Sequence, residues 1–173
     1  MTHQQATTLK LKIDDTDLSF SVSNYVPERK YLTGTDVYDY WCKISLSVSN
    51  KFFNYKKLHD EMLTSQEIDI LTEQLAELLN GRLKSPRTLD FLEPDIEFTF
   101  YPKHDIYPKH DIRSNANTLY AEPGHEMLDV LLDLKIWLTD SEGAYIAQSY
   151  TISLGREEIE ALLDYLKNLT DNP

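Results

Sequence analysis

Across residues 128–138 every second residue is aliphatic. Leu128, Val130, Leu132, Leu134, Ile136 and Leu138 share one face, and Asp129, Leu131, Asp133, Lys135 and Trp137 share the other. Successive side chains of a strand point to opposite faces, so this run demands a long, central strand with one side turned into a core. A turn at residues 139–143 leads into Ala144, Ile146, Gln148, Tyr150, Ile152 and Leu154, the partner strand of a hairpin.

The same period organises the first part of the chain. Leu9, Leu11 and Ile13 alternate with lysines, a turn follows at residues 14–17, and Leu18, Phe20 and Val22 alternate with serines. Residues 41–49 place Cys42, Ile44, Leu46 and Val48 opposite Lys43, Ser45 and Ser47, a third strand, and residues 52–55 read as a short fourth. Residues 24–39 are a connecting loop. Its Tyr25, Tyr31 and Tyr38, with Tyr40 beside them, either cover the edge of the core or line a binding surface.

Two segments change to a helical period. Thr64-Ser65-Gln66-Glu67 is a capping box, in which hydroxyl and carboxylate each accept from the other residue's amide. Ile68, Leu71, Leu75, Leu78 and Leu79 follow at helical spacing, and Asn80-Gly81 supplies a residue able to take positive φ at the close. The last helix opens at Gly155-Arg156-Glu157-Glu158, with carboxylates at the positive end of its dipole and Ile159, Leu162, Leu163 and Leu166 as its buried stripe.

Between the helices, Leu89 and Phe91 alternate with polar residues until Glu93-Pro94-Asp95 interrupts the ladder, and Ile96, Phe98 and Phe100 resume it. Proline has no amide hydrogen to donate, so this is two strand segments joined by a tight turn, or one strand bent at a bulge. The six residues from Tyr101 to Ile106 are then repeated without change at residues 107–112. A packed strand does not absorb such an insertion, whereas a surface loop does, so a loop is expected over residues 102–126.

These elements predict an α+β fold: a mostly antiparallel curved sheet of about seven or eight strands, with two amphipathic helices packed on one face. The 173 residues are read as a single domain with a flexible tail over residues 1–7. Each half ends in a strand pair that runs into a Leu-rich helix, a loose internal echo.

Seventeen basic residues against 29 acidic ones give a net charge of −12, which repels the phosphate backbone and argues against nucleic acid as a partner. No apolar run is long enough to span a membrane. A single cysteine and an amino terminus without a secretory pattern point to the cytoplasm. Cys42 lies in phase with the buried aliphatics, which makes it a small core hydrophobe rather than a nucleophile. His104, His110 and His125, with Asp105 and Asp111, match no ligand spacing, and the duplication accounts for the paired His-Asp. No nucleophile-base order or glycine-rich phosphate loop is present either. No enzyme, catalytic residue, metal site or cofactor is expected.

The most informative charge feature is on the first helix. Asp69, Glu73 and Glu77 recur every four residues, with no Lys or Arg from Thr64 to Asn80. Like charges at this spacing mildly oppose the isolated helix. The ridge is either a solvated face or the contact surface for a basic partner, offset in the free chain by a neighbour such as Arg82, Lys84 or Arg87.

At Leu63-Thr64-Ser65-Gln66-Glu67-Ile68, Phe91-Leu92-Glu93-Pro94-Asp95-Ile96-Glu97-Phe98 and Leu154-Gly155-Arg156-Glu157-Glu158-Ile159-Glu160-Ala161-Leu162-Leu163, the chain resembles small bacterial proteins of the wall-associated-toxin immunity type. The resemblance covers residues 41–166. It departs in the tyrosine-rich loop and in the duplicated insertion. It implies a cytoplasmic inhibitor that binds a cognate toxin, with no catalytic residues to carry over. On that reading the partner is a protein, such as a basic toxin domain, and Asp69, Glu73 and Glu77 are its expected contacts. The alternative is a sheet-based accessory or scaffold domain binding a peptide or small ligand, which an exposed aromatic groove at Tyr25, Tyr31 and Tyr38 would favour. Neither reading sets a homo-oligomeric state.

Overall fold

The computed structural model describes residues 7–27, 40–103 and 129–171. β1 (Thr8–Ile13), β2 (Thr16–Ser23), β3 (Trp41–Ser49) and β4 (Asn54–Thr64) form one sheet in that order, and β4 runs directly into α1 (Ser65–Leu79). β5 (Arg87–Leu89), β6 (Ile96–Tyr101), β7 (Leu131–Thr139) and β8 (Tyr145–Leu154) form a second sheet, followed by α2 (Arg156–Asp171). Neighbouring strands are antiparallel throughout. Each half is therefore a four-stranded meander that ends in a helix. The internal echo of the sequence is a repeated topology, and residues 63–71 align without a gap on residues 154–162.

The α+β class stands, but the single curved sheet does not: there are two sheets of four strands. The physical reason lies in β4, an edge strand whose register against β3 shifts twice, between Cys42 and Lys43 and between Ile44 and Leu46. A bulged edge presents its backbone groups out of register, which disfavours a continuing ladder. β4 meets the second half through side chains instead. The Tyr55 and Thr139 hydroxyls are 3.4 Å apart, and the Phe53 ring stacks on Tyr150 at 4.5 Å. The same shifts explain why the fourth strand runs over residues 54–64, far beyond the short segment expected at residues 52–55. An extra residue reverses the inward set, so the two-residue period fades from the sequence.

On β2, β3 and β7 the alternation holds. Leu18, Phe20 and Val22, then Cys42, Ile44, Leu46 and Val48, then Leu132, Leu134 and Ile136 are all buried. β7 begins at Leu131, with Val130 buried just before it, while Leu128 lies outside the described residues. β5 and β6 are the two segments expected around Glu93-Pro94-Asp95, paired so that Leu89 faces Phe98. The loop over residues 102–126 falls largely outside the described residues, and with it the second hexapeptide copy and all the loop histidines.

Both helices begin in the same way. Thr64 N donates to Glu67 Oε2 at 2.7 Å and Glu67 N to Thr64 Oγ1 at 3.2 Å, which completes the capping box. At α2, Gly155 N donates to Glu158 Oε2 at 3.0 Å. A Cβ on Gly155 would lie 3.1 Å from that same oxygen, so the close return of the glutamate favours glycine there. Ile68, Leu71, Leu75 and Leu78 of α1 join Ile159, Leu162, Leu163 and Leu166 of α2 and the inner faces of both sheets in one apolar cluster. The helices also reach across the halves at corresponding places. Gln74 of α1 accepts from Arg87 of β5 at 2.9 Å. Tyr165 of α2 accepts from Val22 N at 2.8 Å and donates to Thr7 O at 3.0 Å.

Candidate partner-binding surface

The helix ridge is only partly free for outside contacts. Asp69 is half-buried and accepts from the Tyr25 hydroxyl at 2.7 Å. Glu77 is also half-buried and accepts from Gln74 Nε2 at 3.0 Å. Glu73 is exposed. Of the basic neighbours expected to offset the ridge, Arg87 acts one step removed, because it binds Gln74, which in turn binds Glu77, while Lys84 donates to the Gly81 carbonyl instead. The ring of Tyr25 packs against the core, as a residue covering its edge should. Tyr31 and Tyr38, the other members of the supposed aromatic groove, lie outside the described residues.

Glu67, read from the sequence only as a capping residue, does more. Its Oε1 accepts from Leu92 N at 2.7 Å, so one buried carboxylate holds both the start of α1 and the turn that leads to β6. Two residues of that turn matter further. Asp95 is buried, and its backbone oxygen accepts from Trp137 N at 2.8 Å. Its carboxylate accepts from Lys57 of β4 and, at 3.0 Å, from the Tyr145 hydroxyl of β8. The turn at Glu93-Pro94-Asp95 is thus a joint between the halves. Its carboxylate was not legible as such, because its partners lie 38 and 50 residues away in sequence.

The electrostatics follow from these contacts. Burial alone would lower the proton affinity of the Lys57 ammonium, but hydrogen bonds and charge from Asp95 and from Asp60 at 3.0 Å outweigh it and hold the ammonium above its ordinary range. Burial first, then its bond to Asp95, pushes the Tyr145 phenol up to about 12. Cys42 is buried in the core, and burial pushes its thiol up to about 11, which leaves it protonated and weakly nucleophilic at neutral pH. Among the described residues, no group of three or more His, Cys, Asp or Glu is placed to hold a metal ion.

A family model for the immunity protein WapI-like family matches residues 7–172, nearly the whole chain. The chain belongs to the WapI-like immunity protein family. No curated protein matches it. None of the helices described is long and apolar enough to cross a membrane.

Proposed function

We propose that this WapI-like chain is a non-enzymatic, cytoplasmic immunity protein that neutralises a cognate bacterial toxin by binding it through an acidic surface. The observation that carries this reading is the family match over residues 7–172. The net charge of −12 supports a basic partner, because complementary potentials speed encounter and penalise wrong partners. An acidic face could occlude the basic groove of a nuclease toxin in this way. The α1 face bearing Asp69, Glu73 and Glu77 is one proposed part of the surface.

The test is to search the neighbouring genes for a toxin domain and to co-express any such domain with this chain. Protection of the host, together with a stable complex of the purified proteins, is expected. Continued killing, with no complex at micromolar concentration, would sink the reading. Within such a complex, Glu73→Lys is the cleanest probe of the helix, since Glu73 is exposed whereas Asp69 and Glu77 hold internal hydrogen bonds. It should slow association and flatten its salt dependence, and unchanged kinetics would remove α1 from the surface.

A further inference from the structure

Asparagine followed by glycine is the pair in which a side-chain amide is most open to attack by the next backbone nitrogen, because glycine has no Cβ to shield that nitrogen. Asn80-Gly81 is the only such pair in the sequence, and it closes α1. Both residues are exposed, Gly81 takes φ 68°, and a Cβ there would meet nothing within 4 Å. Water and base therefore reach the pair. The Asn80 side chain forms no hydrogen bond among the described residues.

Two restraints hold the pair short of reaction. Asn80 has ψ 1°, whereas ring closure needs ψ turned until Gly81 N eclipses Cβ. Gly81 N also donates to Leu78 O at 3.2 Å. Both restraints belong to the last turn of a helix, which frays and opens more readily than its interior. The last turn of α1 has no basic side chain to meet the negative end of the dipole, and it carries Glu77 instead.

Beyond the helix, the charges favour reaction. Lys84 Nζ donates to Gly81 O at 2.5 Å, and Arg82 follows Gly81 directly. The nucleophile is the Gly81 amide after loss of its proton, and a positive charge beside it favours that anion.

We infer that Asn80 is a site of spontaneous deamidation in the folded chain. Deprotonated Gly81 N attacks Asn80 Cγ, so the N–Cγ bond forms and the Cγ–Nδ2 bond breaks. The proton lost by Gly81 returns through water to Nδ2, which leaves as ammonia. Water then opens the cyclic imide at one of its two carbonyls. Opening at Cγ gives aspartate, and opening at the Asn80 backbone carbon gives isoaspartate, which routes the main chain through the side chain. Either product adds a carboxylate three residues after Glu77, at the negative end of the dipole. Isoaspartate also lengthens the chain just where Arg82 N and Leu83 N reach back to Glu77 O at 3.0 and 3.4 Å. The modified chain melts lower than the parent.

The experiment ages the whole folded chain in mildly alkaline buffer, maps its peptides by mass and assays isoaspartate. Wild type is expected to show the amide-to-acid mass gain on the peptide carrying Asn80 before any other asparagine, with an isoaspartyl product and a falling melting midpoint. Asn80→Gln, checked by circular dichroism, should lose both changes. Lys84→Met should slow the conversion about threefold, the effect of one nearby charge in water. An Asn80 amide that stays intact in the folded chain, over the time in which the chain unfolded in denaturant converts, would overturn the inference. So would conversion of another asparagine first. An unchanged rate in Lys84→Met would overturn the part given to the ammonium.

Discussion

Glu67 ties the start of α1 to the turn before β6. Its carboxylate accepts from Thr64 N, Thr64 Oγ1 and Leu92 N, and the residue is 9% exposed. Glu67→Ala leaves two backbone amides without their acceptor and should lower unfolding free energy by about 2–4 kcal/mol, read from denaturant midpoints. A loss no larger than that of a surface substitution would mean that water replaces the carboxylate. Asp129 offers a pH test. The Arg156 guanidinium binds it in two places, at 2.7 and 2.8 Å, and these hydrogen bonds hold its carboxyl down at about 2. The folded value lies below the unfolded one, so the stabilisation is complete above the ordinary carboxylate range of about 4 and is lost as pH falls toward 2. An NMR titration should find its midpoint near 2 in wild type and near the ordinary value in Arg156→Ala. Because both groups are largely exposed, the effect on stability at neutral pH should be small.

Among the elements, strands with one residue in register per step were readable throughout, and bulged strands only in part. β3 and α1 fall where alternation and the capping box place them, because in each a single period runs unbroken between its boundaries. β4 was mostly missed, since Leu58 and His59 together oppose Ser45 and the inward set changes phase beyond them. β8 was located, yet Ile146, which falls in phase with the buried Ile152 and Leu154, is exposed because the bulge at Ala147 intervenes. The strain there is measurable. Ala147→Gly relieves a φ of 55° and should raise stability by about 0.5–1 kcal/mol in thermal melts. Lower stability would show that the methyl group has a packing role that outweighs the strain.

At the scale of the whole molecule, two meander-plus-helix halves share one apolar cluster and a polar bridge. We expect them to unfold as one cooperative unit, with a single calorimetric transition whose van't Hoff and calorimetric enthalpies agree. Two separable transitions would divide the chain into independent domains. Asp95→Ala leaves the Lys57 ammonium, whose side chain is 17% exposed, with Asp60 as its remaining counter-ion and should cost about 1.5–3 kcal/mol while keeping the transition single.

Period, capping and charge act between residues close in sequence, so the chain alone was enough to specify the α+β class, the hairpin order, both helix starts and a net charge of −12. Asp69, Glu73 and Glu77 could be assigned to one side of α1 because residues four apart share a helix face, but the internal bonds of Asp69 and Glu77 were not legible there. The division into two sheets, the second tasks of Glu67 and Asp95, and the exposure of Leu58 and Ile146 were decided only in three dimensions. Each depends on where a bulge re-aims a strand and on which distant element then fills the space beside it, and no local pattern carries either.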